Sequence, residues 1–162
     1  MKRYLSQFDP TWAAVRIGEA FFPLGQKGCT TTALCESLGD FDIYINPDEL
    51  AKFSHLYTRQ GYVYGPGLII WKEVEKWLRS KFPKREISLT RYYGRLDGAI
   101  RQHLVPGSSV LLEVANKSHW VKADRKMVFR DDYNCRDPWG GKGCAAIGDY
   151  KNITGYAILK IK

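Results

Sequence analysis

Leu24-Gly25-Gln26-Lys27-Gly28-Cys29-Thr30-Thr31-Thr32-Ala33-Leu34 is the stretch on which the fold turns. Thr31, Leu34, Cys35 and Leu38 recur at helical spacing, and Gly39 is placed to end the run. Cys29 therefore falls at or just before a helix N-terminus. A neutral thiol is only slightly ionised near pH 7. The unpaired N–H groups and dipole at a helix start favour its thiolate. Gly28, with no Cβ, is expected to let backbone and substrate approach the sulfur closely.

Upstream, residues 1–28 read as irregular, with Asp9-Pro10 and Phe22-Pro23 as turn markers. Downstream, Pro47-Asp48-Glu49 predicts a helix over 48–57 with Leu50, Phe53 and Tyr57 on one face. A further helix is expected from about Gly67 to Lys81, with Ile70, Trp71, Val74, Trp77 and Leu78 as its apolar stripe. Phe82-Pro83 would stop it. Leu96, Ile100 and Leu104 predict a short fourth helix before Pro106-Gly107. The period then changes. Val110, Leu112 and Val114 alternate as a strand does. His119 to Ala123 and Met127 to Arg130 read as two strands separated by Asp124-Arg125-Lys126, and Tyr156 to Ile161 reads as the last. Helices first and strands afterwards predict a single α+β domain over 1–162, a helical half packed on an antiparallel sheet.

A thiol nucleophile needs an imidazole to take its proton and a group to fix the tautomer. Of three histidines, His55 lies off its helix stripe and His103 ends the fourth helix, so neither needs a further role. His119 begins a strand, just past the turn Asn116-Lys117-Ser118. A base at a strand start can face a helical cysteine across a cleft and take its proton. Asp137, in Arg136-Asp137-Pro138-Trp139, can accept from the second imidazole nitrogen. Asp131 and Asp132 compete for that role, with Asn134 a weaker candidate. Trp120 and Trp139 flank the proposed pair and either wall a cleft or cover the triad. Trp71 and Trp77 fit a core stripe.

The 162 residues suffice to bury a core. At 44% hydrophobic and 26% charged the chain is not a disordered one. No apolar run approaches the roughly 20 residues that cross a bilayer. The opening Met1-Lys2-Arg3 has no apolar stretch behind it, which predicts no signal peptide and synthesis in the cytoplasm. A net charge of +8 suits a polyanion: nucleic acid, anionic lipid or an acidic cell wall. The cysteines Cys29, Cys35, Cys135 and Cys144 are too few for a disulfide scaffold and lack zinc-site spacing. Cys135 and Cys144 could pair across a loop, but the absence of a signal predicts that they stay reduced. No metal or cofactor is expected. The Gly140-Gly141-Lys142-Gly143 run lacks the form of a phosphate-binding loop.

Tyr4-Leu5-Ser6-Gln7-Phe8-Asp9-Pro10-Thr11-Trp12, followed by Gly28-Cys29-Thr30-Thr31-Thr32, resembles the papain-like cysteine peptidases related to bacteriocin-leader (double-glycine) processing enzymes, in their stand-alone bacterial and phage form. Pro47-Asp48-Glu49-Leu50, His119-Trp120-Val121, Asp137-Pro138-Trp139-Gly140 and Gly155-Tyr156 extend the resemblance over nearly the whole chain. Thr30 departs from the Gly, Pro or Leu that relatives often carry after the cysteine. The resemblance implies a papain-like fold and an amide-cleaving enzyme. In it Cys29 would be the nucleophile, His119 the base, Asp137 the orienting residue and Gln7 the side-chain donor to the oxyanion. Gln26, nearer Cys29 in sequence, is the rival donor. The implied substrates are peptides, with peptidoglycan stem peptides favoured by the small basic chain, which would then act on the cell wall after release. A protein-processing peptidase and a silent papain-like binding module are the alternatives. A nucleic-acid-binding protein is a third, prompted by Arg79, Lys81, Lys84 and Arg85, but no nucleic-acid motif accompanies them.

Overall fold

Cys29–Gly39 forms helix α2, buried almost all round from Thr31 to Gly39. It is the axis of the helical layer, preceded by the single turn α1 (Leu24–Lys27). The computed structural model describes residues 2–59, 61, 63 and 65–162. Met1, the first residue of the basic opening stretch, lies outside them. The later helices are α3 (Pro47–Ala51), α4 (Trp71–Lys81), α5 (Asp97–Gln102) and α6 (Ala146–Tyr150). The strands are β1 (Ile87–Tyr93), β2 (Ser108–Val114), β3 (His119–Lys126), β4 (Tyr133–Asp137), β5 (Lys142–Ala145) and β6 (Ile153–Ile161). They form one six-stranded antiparallel sheet in the order β1-β6-β2-β3-β4-β5. The chain is thus α+β. No helix among the described residues is long and apolar enough to cross a membrane.

The sheet is covered on both faces, which the alternation in β2 does not announce. Leu111 packs with Leu34, Leu38, Val74 and Leu78 from α2 and α4. Val110, Leu112 and Val114 point the other way, into a second core with Ile100 of α5 and Ala146 of α6. The helical half therefore packs on the face opposite the Val110/Leu112/Val114 row.

Several element boundaries differ from those read in the sequence. The 48–57 helix stops at Ala51, and Ser54–Leu56 continues as one 3₁₀ turn. Asn46 and Glu49 cap its start reciprocally, but Tyr57 leaves the helix to bridge Ile69. That bridge also holds the segment before Trp71 extended, so α4 begins later than Gly67. Trp71 is only partly buried and packs on Trp120, with ring centroids 5.0 Å apart, outside the Val74/Trp77/Leu78 stripe. The expected break at Asp124-Arg125-Lys126 is absent. β3 continues to Lys126 with a bulge at Asp124, whose carboxylate Lys122 and Arg136 neutralise, and residues 127–132 make the turn, so the strand expected from Met127 to Arg130 does not form.

Arg136, fully buried beside Asp137, knits these parts together. Its guanidinium donates to Asp124 Oδ1 (2.9 Å) and Asp40 Oδ1 (2.6 Å) and to the carbonyls of Arg3 (3.1 Å) and Glu36 (3.3 Å). Glu36 lies under this network. Its Oε1 accepts from the Leu5 N–H (2.9 Å), and its Oε2 has no partner. Burial pushes its carboxyl up to about 8, against the Leu5 N–H and the charges of Arg136 and Lys122. Between the usual 4.5 and about 8 the folded state holds a proton that the unfolded state releases. Stability therefore falls as pH rises through that window. Glu36→Gln is expected to stay folded and to remove a decline of order 1–3 kcal/mol. Urea midpoints at pH 5 and pH 8, compared between the two proteins, check this.

Candidate active site

Cys29 is the first residue of α2, so its own N–H has no intrahelical partner. Gly28 has an unremarkable φ of −83°, but a Cβ there would collide with the carbonyl oxygen of Leu24. Glycine is required at 28 because the α1 turn closes tightly on the start of α2, a packing reason that the sequence does not announce.

His119 is delivered by a left-handed turn. Ala115, Asn116 and Lys117 have φ of 53°, 53° and 71°, a conformation that costs each non-glycine residue free energy. The Ser118 N–H donates to the Ala115 carbonyl, and Asn116 and Asn152 exchange hydrogen bonds. These contacts hold the turn and start β3 with the imidazole inward.

The imidazole Nε2 lies 2.8 Å from Asp137 Oδ1, so the other ring nitrogen, Nδ1, is left for the Cys29 thiol. Burial alone would raise the thiol. The hydrogen bond and charge of His119 outweigh it, helped by the Trp120 N–H and the Thr30 hydroxyl, and the Cys29 pKa falls below its ordinary value. Burial alone would lower His119, but Asp137 and Cys29 on either side push it up to about 9. Both shifts favour a thiolate–imidazolium pair. Cys35 contrasts with this. It is fully buried in α2, and burial raises its thiol far above the ordinary value.

Asp137 is held from three sides. Oδ1 also accepts from the Trp139 N–H (2.8 Å), and Oδ2 accepts from the Tyr150 hydroxyl (2.5 Å). Burial works to raise its carboxyl, but these donors and the His119 charge bring it below its usual value. The competitors are engaged elsewhere. Asp131 is exposed and pairs with Lys126 and Arg95, and Asp132 accepts from the N–H groups of Tyr133, Ile147 and Gly148. Asn134 lies near the start of β4, three residues before Asp137.

Gln7 is buried, and its N–H donates to the Pro138 carbonyl at 2.8 Å, which ties it to the Asp137 segment. Its side-chain amide donates to the Gly25 carbonyl (3.0 Å), one N–H remains, and Oε1 is buried without a partner. Gln26 is exposed on α1. The opening block is built to hold Gln7. Asp9 accepts from Thr11 and from the Trp12 N–H, and the Trp12 indole donates to the Ser6 carbonyl (2.8 Å). Gly141, at φ 64°, lies against the Leu5–Ser6 backbone, where a Cβ would crowd it at 3.2 Å.

Of the flanking tryptophans, Trp120 is buried and Trp139 is 55% exposed. Trp139 presents its ring edge-on to His119 (5.9 Å) and to Phe8 (5.1 Å). His55 is exposed in the 3₁₀ turn and His103 caps α5, so neither joins the group. Among the described residues no cluster of three or more His, Cys, Asp or Glu side chains could hold a metal.

Sequence reasoning did not find Tyr150. Its hydroxyl holds Asp137, and its ring lies 4.9 Å from that of His119. No spacing links it to the motif residues, and only the fold of α6 brings it there. Tyr150→Phe keeps the ring and deletes one charged hydrogen bond. The expected result is an approximately tenfold fall in kcat/KM, with the acid limb of the pH profile moved upward as Asp137 becomes easier to protonate. A rate measured against pH checks both.

No protein-family model matches this chain, and no curated protein matches it.

Proposed function

We propose that the protein is a papain-like cysteine hydrolase that cleaves amide bonds. The observation that carries this reading is the ordered series Cys29–His119–Asp137, with Asp137 on the imidazole nitrogen away from the sulfur. The nucleophile helix α2 packed against the strand that begins with His119 supports a papain-like arrangement.

The thiolate of Cys29 attacks the amide carbonyl carbon, and the C–O π electrons move onto oxygen. The Cys29 N–H and the remaining N–H of the Gln7 amide hold that oxyanion. The imidazolium gives its proton to the leaving nitrogen, the C–N bond breaks, and a thioester remains. His119 then takes a proton from water, whose oxygen displaces the thiol. Asp137 and Tyr150 keep the ring oriented throughout.

The substrate favoured is a stem or bridge peptide of peptidoglycan, because the +8 charge suits an anionic wall. Zymography on purified cell walls, beside a casein gel, tests the assignment. Clearing of the wall gel by the native protein and not by Cys29→Ala is the expected result. Casein cut with no wall clearing would move the reading to a protein-processing peptidase. Inactivity on both gels would favour a silent binding module.

A further inference from the structure

Cys135 and Cys144 take no part in the chemistry above. They lie on neighbouring antiparallel strands and are direct partners in the β4–β5 register. Such partners place their Cβ atoms about 4.5–5.5 Å apart, and a disulfide asks for roughly 3.5–4.5 Å, so a small adjustment closes the gap. The Cys135 thiol donates to the Tyr133 carbonyl at 3.5 Å, and neither cysteine is in a disulfide. Cys144 is partly exposed on the edge strand, whereas Cys135 is buried. Both line an open cavity of about 560 Å³ whose walls include Lys2, Tyr4, Arg125 and Asn134. Lys2 is paired there with Asp124 at 3.1 Å, and Arg125 is exposed.

The position of the pair matters for the site. Cys135 stands just before Asp137 on β4. Cys144 stands on β5, which runs through Ala145 directly into α6, the helix that carries Tyr150. Asp137 and Tyr150 meet through the 2.5 Å hydrogen bond. A covalent link between the two cysteines therefore ties together the two segments that supply this contact.

We propose that Cys135 and Cys144 are a redox-active dithiol, oxidised by an anionic low-molecular-weight disulfide of the glutathione class, and that the resulting cross-strand disulfide latches the β4–β5–α6 segment. Cys144, the accessible thiol, attacks as its thiolate one sulfur of the small disulfide. That S–S bond breaks, one small thiolate leaves, and Cys144 carries a mixed disulfide. Cys135, giving up its proton, attacks the Cys144 sulfur and expels the second small thiolate. The two protein thiols are oxidised, and the small disulfide is reduced to two thiols that carry the two protons. The cavity gives the small molecule room, and Arg125 offers its carboxylates a cation. Burial is the reason Cys135 acts second, because a buried thiolate is costly.

The experiment uses the full chain with Cys29→Ser, so its outcome does not depend on whether Cys29 is a nucleophile. The protein is incubated with oxidised glutathione and read by intact mass, peptide mapping and thermal melting. The expected result is a loss of two hydrogens and one Cys135–Cys144 cross-link. Tm should rise by roughly 5–10 °C, and dithiothreitol should reverse the rise. Adding Cys135→Ser should instead trap one glutathionyl group on Cys144. Thiols that stay free, an adduct that never resolves with Cys135 present, or a cross-link that leaves Tm unchanged or lower would each overturn the proposal.

Discussion

Cys29→Ala is expected to remain folded and to lower amide hydrolysis on the order of ten-thousand-fold or more, as loss of a covalent nucleophile does. The side chain is small and only partly buried, so its removal opens little cavity. In the native protein, iodoacetamide should alkylate Cys29 first. It sits at a helix start with an imidazolium and two further donors on its sulfur, and its pKa is lowered. Cys35 and Cys135 are buried, and their thiols are raised. Peptide mass spectrometry across pH reads the order directly. If Cys29 reacts no faster than the others, the enzyme reading fails, and a binding module sharing the fold becomes the better account.

His119→Ala is expected to be nearly as damaging, a loss of about a thousandfold or more in kcat/KM, because base, acid and counter-charge disappear together. Its signature differs from that of Cys29→Ala. The sulfur remains, but burial then dominates its titration, so the thiol pKa rises above its native value. Alkylation near pH 7 should slow by about ten- to a hundredfold and recover only at alkaline pH. In the native protein the imidazolium is lost as pH rises through about 9, and activity should fall there. On the acid side activity falls as the Cys29 thiolate and the Asp137 carboxylate take up protons, each below its ordinary range. A native rate profile without a basic limb near 9 would contradict the ion pair.

The start of α2 at Cys29 was legible because a helix start is a local event: Gly28, then apolar residues at helical spacing. The start of β3 at His119 was legible for a similar reason, a turn followed by a change of period. Other elements carried no such mark. β5 is Lys142-Gly143-Cys144-Ala145, too short and too small-sided for an apolar period, and it is a strand only because β4 offers it hydrogen bonds. β1, Ile87–Tyr93, mixes charge and aromatics, yet it pairs along its whole length with β6.

By itself the sequence determined which chemical groups are available and which two stand at element starts, because capping, turns and period are set by near neighbours. The tertiary structure decided the strand order, with β6 between β1 and β2, and the cover on both sheet faces. It also decided that Asp137 rather than Asp131 or Asp132 meets His119, and that Tyr150 stands behind it. Those outcomes rest on contacts between segments far apart in the chain, such as Arg136 with Arg3, Glu36 and Asp40. Their free energy exists only once the whole sheet has closed, so no local window of sequence contains it.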